Sequence, residues 1–225
     1  ILLMPLTVHA QNVIDERLSS LIKDLQSHDR NVRSEAAESL GELGDRTAVQ
    51  PLIQALKDPD EEVRSEAAKA LGELKDKAAV QPLIEALSDT DGKVRATAAD
   101  ALRWLRDKAA VPPLIIALKD PEAWVRSEAA KALEELRDKA AVAPLIQVLK
   151  DRDGEVRRWA ARALGVLGDR KAVPPLIEVL GNTNFRVRSE VAKALGELGD
   201  RAAVAPLIAS LNDANGTVRF AIAEA

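Results

Sequence analysis

Few side chains here could carry chemistry. The chain of 225 residues has two histidines, three tryptophans, two phenylalanines, and neither cysteine nor tyrosine. Without cysteine, thiol nucleophiles, disulfides and zinc–thiolate centres are excluded. His9 stands near the start and His28 in a turn, and neither has a repeated partner or joins a His-Glu pair. A metal site would need such ligands clustered in a dry pocket. No glycine-rich phosphate loop is present. Neither catalysis nor a metal or other cofactor is expected. What remains is non-covalent recognition by Trp104, Trp124, Trp159, Phe185 and Phe220, tryptophan being a favoured anchor of binding surfaces.

A repeat must position these rings. Val-Arg pairs stand at Val32-Arg33, Val63-Arg64, Val94-Arg95, Val125-Arg126, Val156-Arg157, Val187-Arg188 and Val218-Arg219, always 31 residues apart. Pro-Leu-Ile recurs with the same period from Pro51 to Pro206, without insertion or deletion. A unit this short cannot bury its own apolar face, so it must stack on copies of itself. The pattern therefore predicts an all-α fold, an α-solenoid of about seven two-helix units. These begin near residues 14, 45, 76, 107, 138, 169 and 200 and form one array over residues 13–225. The seventh unit is truncated: it stops at Ala225, inside its second helix. With no polar cap there and Ile1 at the start, the chain reads as a piece of a longer protein.

Within each unit two helical patterns alternate. Val80, Leu83, Ile84 and Leu87 fall at i, i+3, i+4 and i+7, one face of a helix. Its proline lies near the start, where a missing N–H does least harm. Val63, Ala67, Ala70, Leu71 and Leu74 form the stripe of the second helix. Asp45, Asp76, Asp107, Asp138, Asp169 and Asp200 are expected to cap the first helices. Asp60, Asp91, Asp153, Asn184 and Asn215 are expected to cap the second. Gly44, Gly168 and Gly199 stand where a helix C-terminus prefers glycine.

The helix pair, the intervening Asp and the Val-Arg opening together resemble HEAT repeats. The phrase Asp169-Arg170-Lys171-Ala172-Val173-Pro174-Pro175-Leu176-Ile177 is similar to the HEAT-like subclass named after phycobilisome bilin lyases, and to artificial alpha-helical repeat proteins built on it. The resemblance implies a right-handed superhelix with the Val-Arg helices lining a concave groove. It also implies a structural ladder in which Arg33, Arg64, Arg95, Arg126, Arg157, Arg188 and Arg219 pair with acids of the turns.

In a repeat protein the residues that break the repeat are the informative ones. In the second unit Glu62, Glu66, Lys69 and Glu73 share an arc of the second helix away from its apolar stripe. Trp104 is equivalent to Glu73, Trp124 to Glu62 and Trp159 to Glu66. Phe185 and Phe220 flank the arc, equivalent to Glu61 and Ser65. Stacked about 10 Å apart, successive units would gather the three tryptophans into one patch. The plainer alternative is that the rings cover gaps between helices. Charge also varies along the arc. Glu35, Glu38, Glu42, Glu62, Glu66 and Glu73 make the early units acidic, offset mainly by Lys69, whereas Trp159, Arg162 and Val166, with Arg158 beside them, make the fifth aromatic and mildly basic. A partner with a basic end and an apolar anchor fits that gradient.

These residues predict a non-catalytic scaffold that holds a protein or peptide ligand in the groove. Two alternatives stand beside it. One is a bilin-lyase-like subunit that binds a chromophore or its acceptor protein. The other is a structural spacer in a larger protein, or a designed repeat binder. A net charge of −4 with interspersed signs gives no field for nucleic acid, and no apolar run is long enough to cross a bilayer. A monomer is expected. Residues 1–12 depart from the repeat. They read either as the remnant of a signal peptide, with Val8-His9-Ala10 resembling a cleavage site and implying export, or as an N-terminal cap on a cytoplasmic protein.

Overall fold

The computed structural model describes the backbone of residues 4–225 and the side chains of Val13 and residues 15–225. It is an α-solenoid of helix pairs. The second helices of the repeats are α2 (Arg30–Leu43), α4 (Glu61–Leu74), α6 (Gly92–Leu105), α8 (Ala123–Leu136), α10 (Gly154–Leu167), α12 (Phe185–Leu198) and α14 (Gly216–Glu224). The first helices are α1 (Met4–Asp24), α3 (Val49–Ala55), α5 (Val80–Ala86), α7 (Val111–Ala117), α9 (Val142–Val148), α11 (Val173–Val179) and α13 (Val204–Ala209). Residues 4–12 form the first part of α1. The readings of the leader as a signal remnant or a cap concern side chains that lie outside the described residues. Among the described residues no helix is long and apolar enough to cross a membrane.

Each first helix from α3 onward is preceded by a 3-10 turn, as at Arg46–Ala48, and an aspartate starts it. Asp45 accepts the Thr47 N–H at 2.8 Å, and Asp76, Asp107, Asp138, Asp169 and Asp200 repeat the bond. The second helices are capped in the same way by Asp60, Asp91, Asp153, Asn184 and Asn215, and also by Asp29. The eighth helix differs: Glu122 holds its N-cap position without a side-chain bond. Gly44, Gly168 and Gly199 end their helices in the left-handed region, at φ 72°, 66° and 56°. Lys75, Arg106 and Arg137 do the same without glycine, at φ 50–52°.

The chain divides into two compact units, Ile1–Leu105 and Arg106–Ala225. In the first, α2 packs on α4 and α4 on α6; in the second, α8, α10, α12 and α14 stack in order. Each of the first helices from α3 to α11 packs on the second helix of its own repeat. Fully buried leucines such as Leu40, Leu71, Leu133 and Leu164 fill the stack together with the paired alanines. Glycine sets the closest approaches. A Cβ at Gly41 would lie 2.9 Å from the Ala70 Cα, and Gly72 meets Ala101 and Gly165 meets Ala194 at the same distance.

The arginine ladder is built as a side-chain clamp between consecutive repeats. Arg33 donates through Nε and Nη2 to both carboxylate oxygens of Asp58, at 2.7 and 2.9 Å. Its Nη1 also donates to the carbonyls of Ser27 and His28. Arg64 with Asp89, Arg126 with Asp151 and Arg188 with Asp213 repeat the fork, each 25 residues apart. Charge-assisted bidentate bonds of this kind are both strong and geometrically specific. The Arg188 bond holds the Asp213 carboxyl below the usual range. Burial acts in the opposite direction at Asp89 and Asp151, but Arg64 and Arg126 still bring both below it.

The expectation that each of these arginines pairs with an acid is corrected at Arg157, while Arg219 in the last repeat donates to the carbonyls of Asp213 and Ala214. Arg157 faces Asn182, whose Oδ1 lies 3.4 Å from Nη2. Nε of Arg157 is buried without a hydrogen-bond partner. An amide offers a single acceptor oxygen and no charge, so it cannot close the fork.

Candidate functional site

The second-helix arc is open to solvent in both units. In the first, Glu35 and Glu62 are exposed and Glu66 is half-buried. Lys69 bridges Glu38 at 3.1 Å and Glu66 at 3.5 Å, and Lys93 reaches Glu62 at 2.6 Å. Lys93 therefore shares with Lys69 the compensation of the acidic face. A notch of about 490 Å³ between the N-terminal ends of α2 and α4 is lined by Arg30, Asn31, Ser34, Glu35, Asp60, Glu61 and Glu62. It brings the predicted Glu35 and Glu62 together. Trp104, at the far end of α6, is 48% exposed. The Arg103 guanidinium sits 4.7 Å and the Lys75 ammonium 5.1 Å from its ring centre.

In the second unit Trp124 is the most open of the tryptophans, at 55%. Trp159 is half-buried, with Arg158, Lys131 and Arg162 at 4.5, 4.7 and 5.3 Å from its ring centre. Cations over an indole face are attracted by its quadrupole. Each cation also has a carboxylate: Arg158 binds Glu155 at 2.7 Å, Lys131 binds Glu128 at 2.7 Å, and Arg162 binds Glu134 at 3.0 Å. The basic patch expected here is thus a charge-compensated network around one ring. Glu197 reaches back so that its carboxylate lies against α10 at Gly165. That desolvation, with Glu190 nearby, holds its carboxyl above the usual range.

Phe185 opens α12 and is 39% exposed. A cavity of about 270 Å³ beside it is lined by Glu155, Arg158, Phe185, Arg186, Ser189, Glu190 and Thr217. Arg158 occupies the repeat position that Ser65, Ser127 and Ser189 hold as buried serines, so its long side chain reaches toward α12. Phe220 takes this position on α14 and is 61% exposed. The structure thus joins Arg158 to Phe185 and Arg158 and Arg162 to Trp159, and leaves Phe220 outside both groups.

Sequence reasoning missed Ile116, 74% exposed on α7. Of the equivalent residues, Gln54, Glu85, Gln147 and Glu178 are polar and Ala209 is small. Its signal in the sequence is a large apolar residue at a solvent-facing position of a first helix.

Comparison with known proteins follows the same repeat. The family model described as HEAT repeats matches residues 18–103, 80–151 and 142–225. Among solved structures, an engineered protein is 26% identical, with a TM-score of 0.64 over 81% of this chain and 96% of that one. The complex of CpcE and CpcF of phycocyanin lyase from Nostoc sp. PCC7120 is also 26% identical, with a TM-score of 0.64 over 92% of each chain. A designed armadillo repeat protein, at 22% identity and a TM-score of 0.59 over 80% of this chain and 99% of that one, shares the fold. No curated protein matches.

Proposed function

The chain belongs to the HEAT-repeat family, and from that premise we propose that it is a non-catalytic scaffold for a protein or peptide ligand. The ligand lies along the face of the second helices. The observation that carries this reading is the placement of the aromatics. Aromatic residues make up only 2% of the chain, yet all five lie on second helices, and four of them are exposed. Exposed tryptophan in a packed array gives up burial without stabilising the fold, whereas in a partner's interface it is a favoured anchor. Trp104, Trp124, Trp159 and Phe185 supply the anchors. Arg158, Arg162, Glu35, Glu62 and Glu66 supply the polar contacts, and the acidic face of the first unit favours a basic segment of the partner. The protein acts as a monomer.

The test is a pull-down from the native lysate or secretome with the chain and with its Trp104/Trp124/Trp159→Ala version. Partners retained only by the unaltered chain support the reading. Identical partners at identical affinity overturn the site and favour a spacer. A second reading has its own observation, the likeness to the phycocyanin lyase complex: a subunit that binds a tetrapyrrole or its acceptor protein. Binding of the tetrapyrrole requires a purified sample to perturb the absorption spectrum of a free bilin, and an unchanged spectrum removes that form of the reading.

A further inference from the structure

The broken rung at Arg157 has a mechanical consequence. Four complete rungs clamp one repeat to the next through two charge-assisted bonds, with nitrogen–oxygen distances of 2.6–2.9 Å. Between the fifth and sixth repeats the clamp is one bond of 3.4 Å to a neutral amide, and a buried Nε stays unpartnered. Arg157 keeps its bonds to the carbonyls of Asp151 and Arg152, at 2.6 and 3.1 Å, so it remains tied to its own repeat. What is lost is the bidentate ion pair to the next one, where the exposed Arg186–Glu155 contact at 3.9 Å remains. A buried donor left without an acceptor is unfavourable, and a stacked array opens where its neighbour contacts are weakest.

We propose that the stack of α10 on α12 is a built-in seam, at which the sixth and seventh repeats part from the fifth more readily than the fifth parts from the fourth, where the Arg126–Asp151 rung is complete. The same two helices form most of the cavity beside Phe185: Glu155 and Arg158 come from α10, Phe185, Arg186, Ser189 and Glu190 from α12, and Thr217 from α14. Movement at the seam therefore changes the width of that cavity. The seam makes it an adjustable site, whereas the notch between α2 and α4 is flanked by the complete Arg33–Asp58 rung.

Native-state hydrogen exchange on the full chain tests this with a nearly isosteric substitution. Asn182→Asp supplies the missing carboxylate. It is expected to raise the melting temperature and to slow exchange in α12 and α14 by about tenfold or more, leaving α2 and α4 unchanged. Simple fraying of the chain end would be indifferent to residue 182. Asp151→Asn makes the same break one rung earlier and is expected to lower the melting temperature and speed exchange from α10 onward. Arg157→Met is expected to cost less than Arg126→Met, because only the latter strands a half-buried aspartate. Unchanged or faster exchange in Asn182→Asp overturns the seam, as does equal loss from the two methionine variants.

Discussion

Arg137 ends α8 at φ 50°, a conformation that costs an L-residue roughly 1–2 kcal/mol. Glycine adopts it freely but adds about 0.4–1 kcal/mol of unfolded-state entropy. Arg137→Gly is therefore expected to gain about 0.5–1 kcal/mol, and Gly168→Ala to lose a similar amount, both read from urea midpoints at constant m. The residue scale also sets the acid limit. Asp213 has a folded pKa below its unfolded value, so its stabilisation is complete above an unfolded pKa of roughly 3.9 and is lost as pH falls through the lower folded value. Asp213→Asn should be less stable than the parent at neutral pH, and the two should converge in acid; a constant gap in urea titrations across that range would contradict the pairing. At this scale the capping aspartates were legible because they recur with the period. The left-handed Arg137 was not, since arginine carries no signal for that conformation. Asn182 was visible as an amide in a row of acids, but only the structure shows which arginine it fails.

Among the elements, α8 starts without a side-chain cap because Glu122 stands where other repeats have Asp or Asn. The shorter Asp places its oxygen within reach of the second N–H of the helix, as Asp153 does at 2.8 Å. Glu122→Asp is thus expected to gain about 1 kcal/mol and Asp153→Ala to lose about as much, as thermal melts would show. Helix approach gives an opposite lesson. Glycine inside a helix ordinarily loses about 1 kcal/mol to alanine. At Gly165, though, the added Cβ would sit 2.9 Å from the Ala194 Cα, and overpacking costs about 1–3 kcal/mol. Gly165→Ala should therefore destabilise despite its better propensity. The stripes of both helix types were readable from spacing. The 3-10 entry to each first helix was not, because its Ala-rich sequence differs little from the helix that follows. The aromatic arc was readable as exposed residues, while the glutamate that neutralises each arginine around Trp159 depends on side-chain reach, which periodicity does not encode.

At the scale of the whole molecule, stability is a sum of repeat and neighbour terms, so removing one internal repeat should leave a folded array. Two deletions of equal length separate this from the seam. Removing residues 152–182 leaves Asp151 in the turn ahead of α12, so Arg126 keeps its carboxylate and the Arg157–Asn182 rung disappears. Removing residues 121–151 deletes a complete Arg126–Asp151 rung and retains the broken one. The two shortened chains contain the same number of helices and nearly the same core, since each deleted segment carries the same stripe of Val, Ala and Leu. Both should show the helical circular dichroism of the parent per residue, and a collapse to a disordered chain in either would contradict the nearest-neighbour picture. The chain lacking 152–182 should melt at the higher temperature, by about 2–4 °C for each kcal/mol that the broken rung withholds. Equal melting temperatures would mean that Arg157 finds its missing partner in solvent, and that the array is uniform where the structure divides it.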